Sequence, residues 1–298
     1  MTAAKSKIKK VVRTWVVPPG IWTLLANVSS HLNQRNMDRL SPEILRLFEQ
    51  NKNLLDRHKG ERCFILGAGS SVKAQDIRKL EGEFVISVSN TFVHPDFSRI
   101  KPQYHVLPTL LKGHGRYYPE EKFVGWLREM EIATGEAEMF MHIGDRAMVE
   151  RNGLFKNRVI HWVEYAEAWD ENFDAPIDLM RIPPIWSVSE LALTVAVYLG
   201  FDKIYLVGID HDWFNGVLVY FYDHSKEHAM QPDQSDLSFA DSEFQMRRHA
   251  YIFKKYKYLN SIKKNIYNAN ADSRSYVDVF PKIDYDLLFV DSKKQGVY

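Results

Sequence analysis

The unit at residues 187–210 restricts the fold more than any other. SVSELALTVAVYLG (187–200) predicts a helix with a serine start and a glycine stop. DKIYLVGID (202–210) follows as an apolar strand closed by Gly-Ile-Asp. A helix running directly into a strand, a pattern repeated along the chain, implies an α/β fold with a mostly parallel sheet.

The same alternation runs through the rest of the chain. Residues 41–57 predict a helix, with Ser41 as N-cap, Pro42 at the first helical position, and Ile44, Leu45, Phe48, Leu54 and Leu55 near helical spacing. RCFIL (62–66) predicts a buried strand, KAQDIRKLEG a short helix ending at Gly82, and FVISVSN (84–90) a second strand. QYHVL (103–107), EMFMHI (138–143), RVIHWV (158–163) and KNIYNAN (264–270) are further strand candidates, and helices are expected over 119–131 and around 243–258. The expected fold is α/β: a Rossmann-like, mostly parallel sheet with helices on both faces. Residues 211–242 are polar and aromatic with weak periodicity and read as a long, lid-like excursion. Residues 41–298 are expected to form one catalytic domain, preceded by a basic arm over 1–40.

Charge and cysteine content narrow the setting. The formal net charge of +1 supplies no global field for nucleic acid, so no nucleic-acid partner is expected. The single cysteine, Cys63, excludes an internal disulfide and fits a reducing, cytoplasmic compartment. Residues 1–37 carry Lys5, Lys7, Lys9, Lys10, Arg13 and Arg35 and no acid. Trp15, Ile21, Trp22 and Leu24 follow the first basic cluster, and Pro18-Pro19-Gly20 interrupts a stretch too short to span a bilayer. Such an arm suits peripheral contact with an anionic membrane surface, or is a docking arm or a frayed terminus.

Three polar stretches close predicted strands, and ligands of parallel sheets bind beyond the carboxyl ends of strands. The first is Gly67, Ala68, Gly69, Ser70 and Ser71, whose backbone N–H groups would either cradle a phosphate or form a plain tight turn. It lacks the third glycine of a dinucleotide fingerprint (Val72 stands there) and the Gly-Lys-Ser/Thr of a P-loop. The second is Asn90, able to read a ribose or a base edge, or to form an Asx turn. The third is GIDHDW, where Asp210 and Asp212 could hold a metal or activate a hydroxyl, or merely cap a turn. Within YFYDHSKEHAM (220–230), His224 and His228 are candidates for a general base or, on a helix, for a metal pair.

The order of these motifs resembles a family. A GxG-Ser-Ser turn, an Asn after the second strand, a Ser-led helix, YLGFDKIYLVGID, a Tyr-rich stretch with His-Ser-Lys and an Ile-Tyr-Asn strand are together similar to bacterial sialyltransferases that use CMP-sialic acid on lipooligosaccharide. They are also similar to a wider group containing the archaeal 6-hydroxymethylpterin pyrophosphokinase and flagellin-modifying motility factors. The resemblance spans roughly 62–285 and is most specific over 187–210.

The resemblance implies an inverting, metal-free glycosyl transfer from a CMP-activated acidic sugar to a surface glycan or glycolipid, at the inner face of the cytoplasmic membrane. It implies that Gly67, Ala68, Gly69, Ser70 and Ser71 hold the nucleotide phosphate and ribose, and that Asn90 contacts the nucleotide. Ser187 and Ser189 would approach the cytidine, Tyr220 or Tyr222 would donate to the leaving phosphate, and His224 would deprotonate the acceptor. The chain departs from the pattern at Ser70 (Pro expected), Leu107 (Asn expected) and Asp212 (Tyr expected). Asp210 with Asp212 would restore a metal, and the pterin pyrophosphokinase alternative would need ATP and Mg²⁺ there. A third alternative is a non-catalytic nucleotide-binding protein. A homo-oligomer is compatible with all three.

Overall fold

A computed structural model describes residues 41–111, 119–165, 177–179, 182, 184–211, 220–222, 239–269 and 277–290. Its centre is a seven-stranded sheet: β1 Arg62–Leu66, β2 Phe84–Val88, β3 Tyr104–Val106, β4 Glu138–His142, β5 Ile160–Val163, β6 Lys203–Val207 and β7 Ile266–Asn268. The order is β5-β4-β3-β2-β1-β6-β7, and every neighbouring pair is parallel. The fold is therefore α/β and Rossmann-like. Every predicted strand is present, in most cases one or two residues shorter than its apolar run.

Among the described residues the α-helices are α1 Pro42–Gln50, α2 Phe97–Ile100, α3 Glu120–Ala133, α4 Arg146–Arg151, α5 Val188–Tyr198 and α6 Phe239–Ile262. Ser41 caps α1, its hydroxyl accepting from the Ile44 amide. Ser187 caps α5 in a full capping box: its hydroxyl accepts from the Ser189 amide while Glu190 reaches back to the amides of Trp186 and Ser187. α6 begins at Phe239, inside the stretch expected to be a lid, and is longer than the 243–258 expected from sequence. The expected helix after the first turn is instead two 3₁₀ segments, Ser70–Ala74 and Ile77–Leu80, broken by Gln75 and Asp76.

Alternate strand residues face opposite layers, so both faces are apolar. One face, with Cys63, Ile65, Ile86, Val106, Ile204 and Leu206, packs on Leu191, Val195, Ile252 and Tyr256 of α5 and α6. On the other face, Phe64, Leu66, Val85 and Val207 pack on Val72, Ile77 and Leu80. Farther along that face, Met139, Met141 and Trp162 pack on Phe123, Leu127 and Met130 of α3. Cys63 is fully buried and burial pushes its thiol well up, so it is a core residue. Among the described residues no helix is long and apolar enough to cross a membrane.

The chain winds outward from β1 through β5, then returns to place β6 on the other side of β1. The reversal between β1 and β6 is the topological switch point, where parallel sheets bind ligands. It is also where the glycine-rich turn and the Gly-Ile-Asp strand end meet.

Candidate functional site at the carboxyl edge

β2, β1 and β6 are consecutive and parallel, so their three polar exits share one edge. Main-chain contact closes the innermost part of the switch point. The Gly67 amide donates to Val207 O at 2.7 Å and the Gly69 amide to Gly208 O at 2.8 Å, extending the ladder past both strands. A Cβ on Gly67 would lie 2.3 Å from Gly208 O, and one on Gly69 2.4 Å from Asp210 Oδ2. Gly208 has φ +67°, and a Cβ there would lie 2.3 Å from Val72 Cγ2. These glycines let two strand exits touch.

Asp210 occupies the polar end of the turn. Its Oδ1 accepts the Ser71 hydroxyl at 2.5 Å and its Oδ2 the Ser71 amide at 3.0 Å. The N–H at Ser71, expected to face a phosphate, thus faces a carboxylate of the same chain. The segment behind it is a single 3₁₀ turn, without the aligned dipole of an α-helix. Asp210 behaves as a capping residue here. Among the described residues no three His, Cys, Asp or Glu side chains cluster as metal ligands would.

The aromatic stretch crosses over this turn. The Phe221 amide donates to Ala68 O at 3.2 Å, and Tyr220 forms an antiparallel bridge with Gly69. The rings of Tyr220 and Tyr222 stack 5.2 Å apart at 10°. Tyr222 then reaches the exit of β2, where Asn90 Nδ2 donates to its hydroxyl at 2.9 Å. Asn90 Oδ1 accepts from the indole of Trp126, on α3, at 2.6 Å. Burial pushes the Tyr222 phenol up to about 12, with the Asn90 bond pulling the other way. It is therefore a protonated phenol at neutral pH.

Ser187 and Ser189 belong to a buried cluster on the other side of β6. Their hydroxyls lie 2.6 Å apart, and the Tyr256 hydroxyl donates to Ser189 Oγ at 2.9 Å. His211 Nε2 is 3.2 Å from Ser189 Oγ and 2.8 Å from the Tyr256 hydroxyl. Burial holds His211 down to about 3, with His249 and Arg248 adding repulsion, so its ring is neutral. Arg248 Nε donates to Trp186 O at 2.9 Å and Lys255 Nζ to Pro184 O at 3.0 Å, tying α6 to the entry of α5.

The backbone is strained on this edge. Ser89 (φ 46°) and His211 (φ 52°), at the exits of β2 and β6, are both left-handed non-glycine residues. Two buried hydroxyls at the exits of β2 and β3, Thr91 Oγ1 and Thr109 Oγ1, meet no hydrogen-bond partner among the described residues. Leu107, where the resemblance would put Asn, is a buried apolar residue and adds no polar group.

Of the residues singled out from sequence, the structure brings Gly67, Ala68, Gly69, Ser70, Ser71, Asp210, Tyr220, Tyr222 and Asn90 to one edge, with Ser187 and Ser189 reached through His211. Asp212, His224 and His228 lie outside the described residues, as do residues 1–40. Sequence reasoning missed Trp126, His211, Tyr256 and Asp145, whose carboxylate accepts the amides of Leu110 and Leu111 at 2.9 Å each. His211 could have been found from its place directly after the strand end. Trp126 and Tyr256 carry no sequence signal that sets them apart from the chain's other aromatics, and only the fold shows what their polar tips meet.

No protein-family model matches the chain, and a search of curated proteins finds no match.

Proposed function

We propose that this protein is a glycosyltransferase that takes its sugar from a nucleotide-activated donor held over the carboxyl ends of β1, β2 and β6. One observation carries the reading: a protonated phenol, Tyr222, follows directly on the residues paired with the glycine turn and is bonded to Asn90 at the switch-point edge. The motif order described above supports a CMP-activated donor carrying sialic acid or a related acidic sugar, with a surface glycan or glycolipid as acceptor.

The transfer is a single in-line displacement. The acceptor hydroxyl oxygen bonds to the anomeric carbon as the bond from that carbon to the phosphate oxygen breaks. The electron pair leaves with the nucleotide, and the acceptor proton passes to a base, the role given to His224. A phenol donor beside the leaving phosphate lowers the barrier by stabilising charge that develops as the bond breaks. The neighbouring ring of Tyr220 supplies a flat apolar wall, suited to a base or ribose face. Asp210 is held by Ser71, which disfavours it as a metal ligand and with it the ATP- and Mg²⁺-dependent alternative.

The test is a thermal-shift screen with CMP, CDP, UDP, GDP and ATP, each with and without Mg²⁺, followed by CMP release from CMP-sugar donors. CMP at a hundred times its Kd should stabilise the protein by about 2.7 kcal/mol without metal. Tyr222→Phe should lower turnover roughly a hundredfold. Selective stabilisation by ATP with Mg²⁺ would replace this reading with phosphoryl transfer, and no response to any nucleotide would remove it. Under the same reading the basic arm, residues 1–37, brings the enzyme to a lipid-linked acceptor. Its deletion should abolish sedimentation with anionic vesicles and spare turnover on a soluble acceptor; equal loss of both would count against that role.

A further inference from the structure

The three groups Trp126, Asn90 and Tyr222 form a hydrogen-bonded chain whose direction is set at one end. An indole N–H can only donate. It meets Asn90 at 2.6 Å, so the atom facing it must be the amide oxygen. The amide nitrogen is thereby turned toward Tyr222, 2.9 Å away, and donates to the phenol oxygen. A phenol that accepts this bond has its own proton directed elsewhere, and works toward its surroundings as a donor. Without the indole the carboxamide could flip and accept the phenol proton itself, which would remove that donor.

The rest of the structure holds the chain in place. Trp126 is buried on α3 against Phe92, with ring centroids 6.4 Å apart. Asn90 is buried, and both ends of its amide are engaged, so it is poorly placed to read a base edge directly. Tyr222 is held from the other side by the stack with Tyr220 and by the pairing of the neighbouring residues with Ala68 and Gly69.

We propose that Trp126 and Asn90 are positioning residues that fix Tyr222 as a hydrogen-bond donor, and so make this edge select a ligand presenting an oxygen acceptor of the phosphate class. The inference rests on the functional reading above for the identity of that ligand. The chain of bonds itself can be tested without it.

The experiment has two arms on the full-length protein. In the first, the indole N–H signal of Trp126, identified by its loss in Trp126→Phe, is followed by ¹⁵N NMR. Asn90→Leu should move it upfield and speed its exchange with solvent, whereas Tyr222→Phe should leave it protected. An indole signal indifferent to Asn90→Leu overturns the proposal, whatever the protein binds. In the second arm, CMP and cytidine binding are measured by calorimetry for Tyr222→Phe, Asn90→Leu, Trp126→Phe and the double variants with Tyr222→Phe. Each single variant should weaken CMP about tenfold and leave cytidine unchanged, the scale of one hydrogen bond to a charged acceptor. The double variants should lose no more than Tyr222→Phe alone, because the three residues act as one unit. Additive losses, or equal losses for cytidine, would make Trp126 and Asn90 merely structural and overturn the proposal. A wild-type protein that binds no nucleotide but shows the expected indole response would remove the functional reading and uphold the positioning of Tyr222.

Discussion

At the scale of single residues, glycine is needed where backbone meets backbone. Gly67→Ala would force a methyl to 2.3 Å from the Gly208 carbonyl, with neither strand free to retreat. The expected loss is about 3 kcal/mol or more, read as a lower urea midpoint. Gly125 is the internal control. It lies mid-helix in α3 with nothing within 4 Å of its built Cβ, so Gly125→Ala should raise stability by about 0.5–1 kcal/mol. Equal effects from the two substitutions would refute the close-approach account. Asp210 belongs to the same scale. Asp210→Ala leaves the buried Ser71 amide and hydroxyl without their acceptor, a loss of roughly 2 kcal/mol.

At the scale of elements, the joint between α5 and α6 decides where the Ser187 and Ser189 hydroxyls sit. Glu190 is fully buried, and its Oε2 accepts the amides of Trp186 and Ser187 at 2.8 Å each. Lys255 and Arg248 of α6 supply the compensating positive charge, and burial holds Lys255 down to about 8. Glu190→Ala removes both the capping box and that compensation. It should cost about 2–3 kcal/mol in urea denaturation, more than an exposed cap would. Lys255→Met in the Glu190→Ala background should restore part of this, since an uncompensated buried cation is then gone. A second, purely additive loss would show that the two groups do not interact.

At the scale of the whole molecule, three buried histidines on different elements make stability depend on pH. Burial holds His105 and His211 down to about 3 and His249 to about 4. In the unfolded chain each titrates near about 6.5. Between those limits the unfolded state binds more protons, so stability is full above pH ~6.5 and falls as pH drops toward the folded values. Tm should therefore decline steadily from pH 7 to pH 4.5. His105→Gln, which keeps a polar group beside Ser87, should make the decline shallower. A Tm that rises on acidification would contradict the neutral, buried state of these rings.

The α/β class, the seven strands and the Ser-capped α5 were legible in the sequence, because each rests on a local rule: apolar runs of strand length, helical spacing, a capping residue and a glycine stop. The parallel sheet was legible too, since strands that alternate with helices have the crossover connections that parallel neighbours need. The candidate edge was legible in outline, because polar residues after such runs fall at the carboxyl ends of strands. What the groups on that edge do was decided by tertiary contact. GAGSS reads equally as an anion cradle or a plain tight turn, and only the fold shows Asp210, 139 residues away, on the Ser71 amide. Asn90 reads as a ligand contact until Trp126 and Tyr222 are found at its two ends. A local rule describes one residue and its neighbours along the chain, whereas a hydrogen bond has two ends, and here the second end comes from a strand or helix that only the folded sheet brings near.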